Sequence, residues 1–199
     1  MKRSKILCMV YTAHFPNDQH KNLKAQAHTW GRRCDGFIAA SNLTDHSLGA
    51  IDLPHLGLEE YGNMWQKIRT MWAYVFHNYV DDYDWVHIAG DDVYIAVDNL
   101  RAYNKGSEAN TDHLRPRPLI LGTPYPFRNI VFPAGGPGYT LNRAAVKFFG
   151  EKVLTNFLPI SRDSREDLFM GSGFAGEGVF LTDTRDDVNA TRYGPSAEG

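Results

Sequence analysis

Asp84-Trp85-Val86-His87-Ile88-Ala89-Gly90-Asp91-Asp92-Val93-Tyr94-Ile95 is a short apolar run that delivers two adjacent carboxylates at its end. Five to seven apolar, strand-forming residues bounded by the polar turn Asp81-Asp82-Tyr83-Asp84 read as a strand buried on both faces. Acidic residues at the C-terminal end of such a strand, beside polar loops, suit a hard divalent cation, which takes oxygen ligands and keeps waters and ligand phosphates in its shell. Composition alone favours the other reading of Asp91-Asp92, a solvated turn.

The segments on either side have the same character. Lys5-Ile6-Leu7-Cys8-Met9-Val10-Tyr11 is continuously apolar and predicts a parallel strand, followed by a polar loop through Asn22. Leu23, Ala27 and Trp30 carry helical spacing over 24–33, and Gly36-Phe37-Ile38-Ala39-Ala40 reads as a second strand. The crossover of such a β–α–β start is expected to be right-handed. Over 63–79, Trp65, Ile68, Trp72, Val75, Phe76 and Tyr79 recur at steps of three and four, so one wide apolar stripe faces the sheet. Residues 97–103 predict a short helix, 105–118 a surface loop and 118–122 a strand. A further strand is expected over 129–132.

Gly135-Gly136-Pro137-Gly138-Tyr139-Thr140-Leu141 is the most glycine-dense stretch, suited to close backbone approach, with strand residues after the turn. Its spacing does not match a dinucleotide fingerprint. Asn142 can cap a helix over 143–149, and Ser164-Arg165-Glu166-Asp167 has the Ser-x-x-acid form of a capping box. On that pattern capping is favoured over a role for Asp167 as a base. Residues 179–183 predict a strand, and 197–199 a frayed end. Alternating strands and helices give an α/β domain with a mostly parallel sheet and ligands at the strand C-terminal ends.

With 199 residues, 43% hydrophobic and 22% charged, the chain suits one core and one domain over 1–199. A net charge of −2 and the absence of a basic cluster leave no footprint for nucleic acid. No apolar run reaches 18 residues, so neither a membrane segment nor a signal peptide is read. Cys8 and Cys34 are compatible with one disulfide or with two buried thiols, and burial without function is the favoured reading. Asn42-Leu43-Thr44 and Asn189-Ala190-Thr191 are glycosylation sequons only if the chain takes the secretory route.

Several segments occur together in an order that resembles a known family. They are Leu7-Cys8-Met9-Val10-Tyr11-Thr12, Thr29-Trp30-Gly31-Arg32-Arg33-Cys34, Asp84-Trp85 through Tyr94, Asp98-Asn99-Leu100-Arg101, Gly135-Gly136-Pro137-Gly138-Tyr139, Glu166-Asp167 with Gly171, and Asp183-Thr184-Arg185-Asp186. This order is similar to that of the β-1,3-glycosyltransferases that include the Fringe proteins, and most of all to the core 1 β-1,3-galactosyltransferases. The resemblance covers about residues 5 to 195.

It implies a single Rossmann-like domain of GT-A type, a UDP-sugar donor, Mn²⁺ (or Mg²⁺), and inversion at the sugar carbon by direct displacement. The implied reaction moves a hexose, galactose from UDP-galactose foremost, onto a hydroxyl of a GalNAc-bearing glycoprotein or other glycan in the Golgi lumen. Carried over residue by residue, Asp92 is the metal ligand and Asp167 the general base. Thr12, Ala13, Lys67, Asp91, Gly135 and Gly136 contact the donor or line its sugar. Two departures stand out. Gly90 replaces the first carboxylate of the family's Asp-Asp-Asp motif, and the family's segment with a metal-binding Phe-His, like its N-terminal anchor, lies outside these 199 residues. They leave a rival expectation, a sugar-nucleotide or glycan-binding module of the same fold without transfer.

Overall fold

A computed structural model describes residues 3–18, 20–106 and 117–194. Its centre is a six-stranded sheet in the order β3-β2-β1-β4-β8-β5. The strands are β1 (Ile6–Tyr11), β2 (Gly36–Ser41), β3 (Ala50–Asp52), β4 (Trp85–Gly90), β5 (Ile120–Gly122) and β8 (Tyr139–Asn142). The β1, β2, β3 and β4 pairings are parallel, and β8 runs antiparallel between β4 and β5. This is the expected α/β architecture, a mostly parallel sheet flanked by helices in a GT-A-like domain.

The apolar runs of β1 and β4 are continuous because helices cover both faces. Leu7, Met9, Val86 and Ile88 point to one side, where α2 (Met64–Asn78) lays Trp65, Ile68, Met71, Trp72 and Val75 against them. The same layer holds α4 (Arg143–Phe148), which runs into a π-helical turn at Phe149–Val153, and α5 (Glu166–Gly176). Ile6, Cys8, Val10, Trp85 and Ala89 point to the other side, toward Leu23 of α1 (Lys21–His28), Trp30, and Leu100 of α3 (Val97–Lys105).

Arg101 pins that second layer. Its guanidinium donates to the carbonyls of Ser4 and Arg33 and, at 2.7 Å, to the Asp35 carboxylate, which also accepts the Ile6 amide. Burial opposes the charge on Asp35, yet these donors hold its carboxyl below the ordinary range.

Several expectations need correcting. The helix expected over 24–33 begins at Lys21 and ends at His28, because the Thr29 hydroxyl bonds back to the Ala25 carbonyl and the chain tightens into a 3-10 turn at Trp30–Arg33. Residues 179–183 form no strand: only Thr182 bridges to Leu121, and Phe180 is exposed. The strand expected over 129–132 is β7 (Ile130–Pro133), which pairs with β6 (Pro124–Phe127) in a hairpin outside the main sheet. Pro124 and Pro126 make β6 unreadable as a strand in sequence, yet a two-stranded ribbon tolerates missing donors. The capping box is absent. Arg165 precedes α5 with no side-chain cap, while Asp163 accepts the Arg165 backbone amide and holds its guanidinium. Asn142 does cap α4, accepting the Ala145 amide at 2.8 Å. Most of the loop expected over 105–118, and the end 197–199, lie outside the described residues.

The two cysteines, favoured as separate thiols, are joined: Cys8 of β1 is disulfide-bonded to Cys34, 26 residues on. The bond closes the turn that carries the chain from α1 into β2. Closing a loop of this length restricts the unfolded chain by about 3 kcal/mol. Replacing both cysteines by alanine should therefore lower the unfolding free energy in urea by about 2–4 kcal/mol, whereas an unchanged midpoint would show that the crosslink adds nothing.

Candidate functional site

β1 and β4 end side by side, with Tyr11 paired to Gly90. The residues that follow them therefore share one edge of the sheet. Thr12 is buried, and its hydroxyl donates to Asp91 Oδ2 at 2.6 Å. Asp91 is half-buried and thus anchored inward, while Asp92 is exposed. The turn that holds them is fixed from α1: Gln26 Nε2 donates to the carbonyls of Gly90 at 2.9 Å and Val93 at 2.8 Å. Gln26 went unnoticed in the sequence, since in the largely polar helix Lys21–His28 a buried glutamine does not stand out.

Lys67 reaches this edge from α2. Its buried ammonium donates at 2.5 Å to the Thr12 carbonyl and at 2.5 Å to Glu59 Oε1. Burial lowers its pKa, and the Glu59 and Asp91 carboxylates act the other way. Lys67 thus locks the end of β1 to the loop that carries Glu59. His55 extends the lock, with Nε2 at 3.2 Å from the other Glu59 oxygen. Ala13 follows Thr12 half-buried.

A second carboxylate pair comes from the start of α5. Asp167 Oδ2 accepts the Gly135 amide at 2.8 Å and its Oδ1 accepts the Leu168 amide at 2.7 Å. Its neighbour Glu166 is enclosed, accepting from the Tyr139 hydroxyl at 2.9 Å. Burial, then the charge of Asp167, pushes the Glu166 carboxyl up to about 8, with the Tyr139 bond opposing. Two adjacent acids thus differ in kind, one an enclosed acid that keeps its proton at neutral pH and the other a surface carboxylate held by two amides.

Gly135 is required where it stands. A Cβ there would lie 2.6 Å from Glu166 Oε1 and 3.1 Å from Asp167 Oδ2. Gly136 faces open space.

Tyr11, which the sequence reading took as a strand residue only, joins the two halves. Burial first, then the charges of Glu166, Asp92 and Asp167, raise its pKa. Because β8 runs antiparallel to β4, the Gly135 turn that holds Asp167 lies at the same edge of the sheet as the ends of β1 and β4, which brings Asp92 and Asp167, 75 residues apart in sequence, toward one edge.

Several residues lie elsewhere. His87 is buried within the sheet against Thr140 Oγ1, and burial pushes its imidazole down to about 4. His14 sits just beyond β1, its amide bonded to Asn42 Oδ1. Asp183 and Arg185 form an exposed ion pair, and Thr184 ties that segment to the Gly122 carbonyl. A cavity of about 570 Å³ lies beside α3 and residues 191–194, and neither Thr12, Asp92 nor Asp167 lines it.

Among the described residues no cluster of three or more His, Cys, Asp or Glu side chains could hold a metal by itself. At the end of β4 Asp92 offers an unengaged carboxylate, which fits a cation held by one carboxylate plus phosphate oxygens and waters rather than by a protein cage.

No protein-family model matches the chain. It is 28% identical, over 199 residues and 98% of its length, to glycoprotein-N-acetylgalactosamine 3-beta-galactosyltransferase 1 of Xenopus laevis. It spans about half of that protein, 51% of its length. The similarity to that galactosyltransferase runs along nearly the whole chain, and so takes in the residues at the ends of β1 and β4.

Proposed function

We propose that the chain is an inverting β-1,3-glycosyltransferase that moves galactose from UDP-galactose onto a hydroxyl of a GalNAc-bearing glycoprotein or other glycan. The observation that supports this reading is that Asp167, held by two backbone amides, and the exposed Asp92 lie toward the same edge of the sheet.

In the proposed reaction Asp167 takes the proton of the acceptor hydroxyl as its oxygen attacks the anomeric carbon. The new carbon–oxygen bond forms on one face while the bond to the diphosphate breaks on the other, and the diphosphate leaves with the electron pair. Configuration inverts. Gly135 and Leu168 fix the carboxylate so that little reorientation is needed at the moment of proton transfer. Glu166, kept neutral by burial, adds no second charge beside it. Thr12 and Asp91 mark the nucleotide side, with Ala13 beside them, and Gly135 and Gly136 border the sugar.

Asp92 would hold Mn²⁺ or Mg²⁺, and a cation there supplies electrostatic stabilisation of the departing diphosphate. A secretory, Golgi-type setting agrees with the Cys8–Cys34 disulfide, since such bonds persist in oxidising compartments. One observation favours a binding module without transfer: Gly90 leaves Asp92 as the one unengaged carboxylate at this strand end, among the described residues.

Incubation with UDP-galactose, Mn²⁺ and a GalNAc-bearing peptide should yield the galactosylated peptide, and a folded chain that transfers from no UDP-sugar to any of several acceptors would sink the enzyme reading. Asp167→Asn should lower turnover about 10²-fold or more with UDP affinity unchanged. Asp92→Asn should remove the Mn²⁺-dependent part of UDP binding seen by calorimetry, and equal binding by both forms would place the cation elsewhere.

The raised pKa of Glu166 carries a sign for stability. The folded state holds its proton more tightly than the unfolded chain, so its contribution is fully present below about pH 4.5 and is lost as pH rises toward about 8. Urea unfolding from pH 5 to 8 should show the parent losing stability relative to Glu166→Gln, and parallel curves would mean that Glu166 is ionised in the fold.

A further inference from the structure

Tyr11 is a side chain of this site to which the proposed chemistry gives no part. It closes β1 on the face of Leu7 and Met9 and stands in register with Gly90. Its ring lies across the α-carbon of that glycine. A Cβ on residue 90 would stand 3.2 Å from both Tyr11 Cε2 and Cζ, and 2.8 Å from Asp92 Oδ1. Gly90 is thus no gap in an acidic motif: the room a side chain would need is taken by the Tyr11 ring and the Asp92 carboxylate.

The neighbouring hydroxyls are engaged, Thr12 with Asp91 and Tyr139 with Glu166. The Tyr11 hydroxyl makes no hydrogen bond among the described residues. Its ring stands beside the Asp92 carboxylate, on the sheet face that also carries Tyr139 and α5, and its hydroxyl is a donor bonded to none of the acids there.

The Asp92 carboxylate beside it disfavours a phosphate oxygen as its partner and favours a neutral one. With Asp92 on the diphosphate side and Asp167 on the acceptor side, the part of a sugar nucleotide that lies between them is the hexose.

We propose that the Tyr11 hydroxyl donates a hydrogen bond to an oxygen of the donor hexose, and that Gly90 gives the ring the room it occupies. This inference rests on the transferase reading above. It makes Tyr11 a residue that recognises the sugar rather than the nucleotide.

Calorimetry with UDP and with UDP-galactose, each with Mn²⁺, on the parent and on Tyr11→Phe tests it. Phenylalanine keeps the ring on Gly90 and removes only the hydroxyl, so the melting temperature should not move. Affinity for UDP should be unchanged while that for UDP-galactose falls about 3- to 10-fold, the range of one neutral hydrogen bond. If Tyr11→Phe weakens neither ligand, or both alike, the contact with the hexose is wrong while the transferase reading stands. A parent that binds UDP without UDP-galactose overturns the contact as well. A parent that binds neither removes the transferase reading and this inference with it.

Discussion

The register between β1 and β4 is the constraint from which the rest follows. Six residue pairs, Ile6 with Trp85 through Tyr11 with Gly90, bring both strands to the same edge at the same point. Because side chains alternate, this register decides which residues meet each helical layer, and a slip of one would send every side chain to the opposite face. Cys8 would then turn away from Cys34, and Leu7 and Met9 from the tryptophans of α2. Tyr11 would lose the glycine it lies on, and Thr12 its hold on Asp91.

Acidic groups crowd the edge that results, and each is managed differently. Asp91 is tethered by a hydroxyl. Glu59 is neutralised by the buried Lys67 ammonium, which also ties down the end of β1. Glu166 avoids charge altogether, enclosed under the Tyr139 hydroxyl, which in turn accepts from the Trp72 indole at 3.3 Å. Asp167 is held by two backbone amides and Asp92 is left exposed, and they are the two on which the proposed chemistry depends.

The strands and the long helix were legible because continuous apolar runs and a 3.6-residue stripe are written locally: Lys5-Ile6-Leu7-Cys8-Met9-Val10-Tyr11 and the spacing of Trp65, Ile68 and Trp72 need no knowledge of the rest of the chain. The misread segments depended on distant partners. Ser164 looked like a cap because its spacing to Asp167 is right, but the helix starts two residues later and the Asp167 carboxylate goes to Gly135 instead. Pro-Tyr-Pro-Phe becomes a strand only because Ile130–Pro133 pairs with it. At the site, the acidic residues could be named from a resemblance. Gln26 and Tyr11 could not, since the clamp on the 90–93 turn and the contact with Gly90 exist only once three separate elements have met.

The antiparallel direction of β8 has a bearing on where this protein tolerates change. In the parallel strands β1 and β4 the site is built from residues that follow the strand, but β8 points the other way, so the Gly135–Gly138 turn that precedes it arrives at that edge. Lengthening the chain after β8, or before β1 and β4, alters only the far edge of the sheet. Around β1, β4 and β8, loop insertion can therefore reshape this edge in three short windows, 12–18, 91–96 and 134–138, and the last of these is hemmed in by Glu166. Novel specificity would come most readily through the first two.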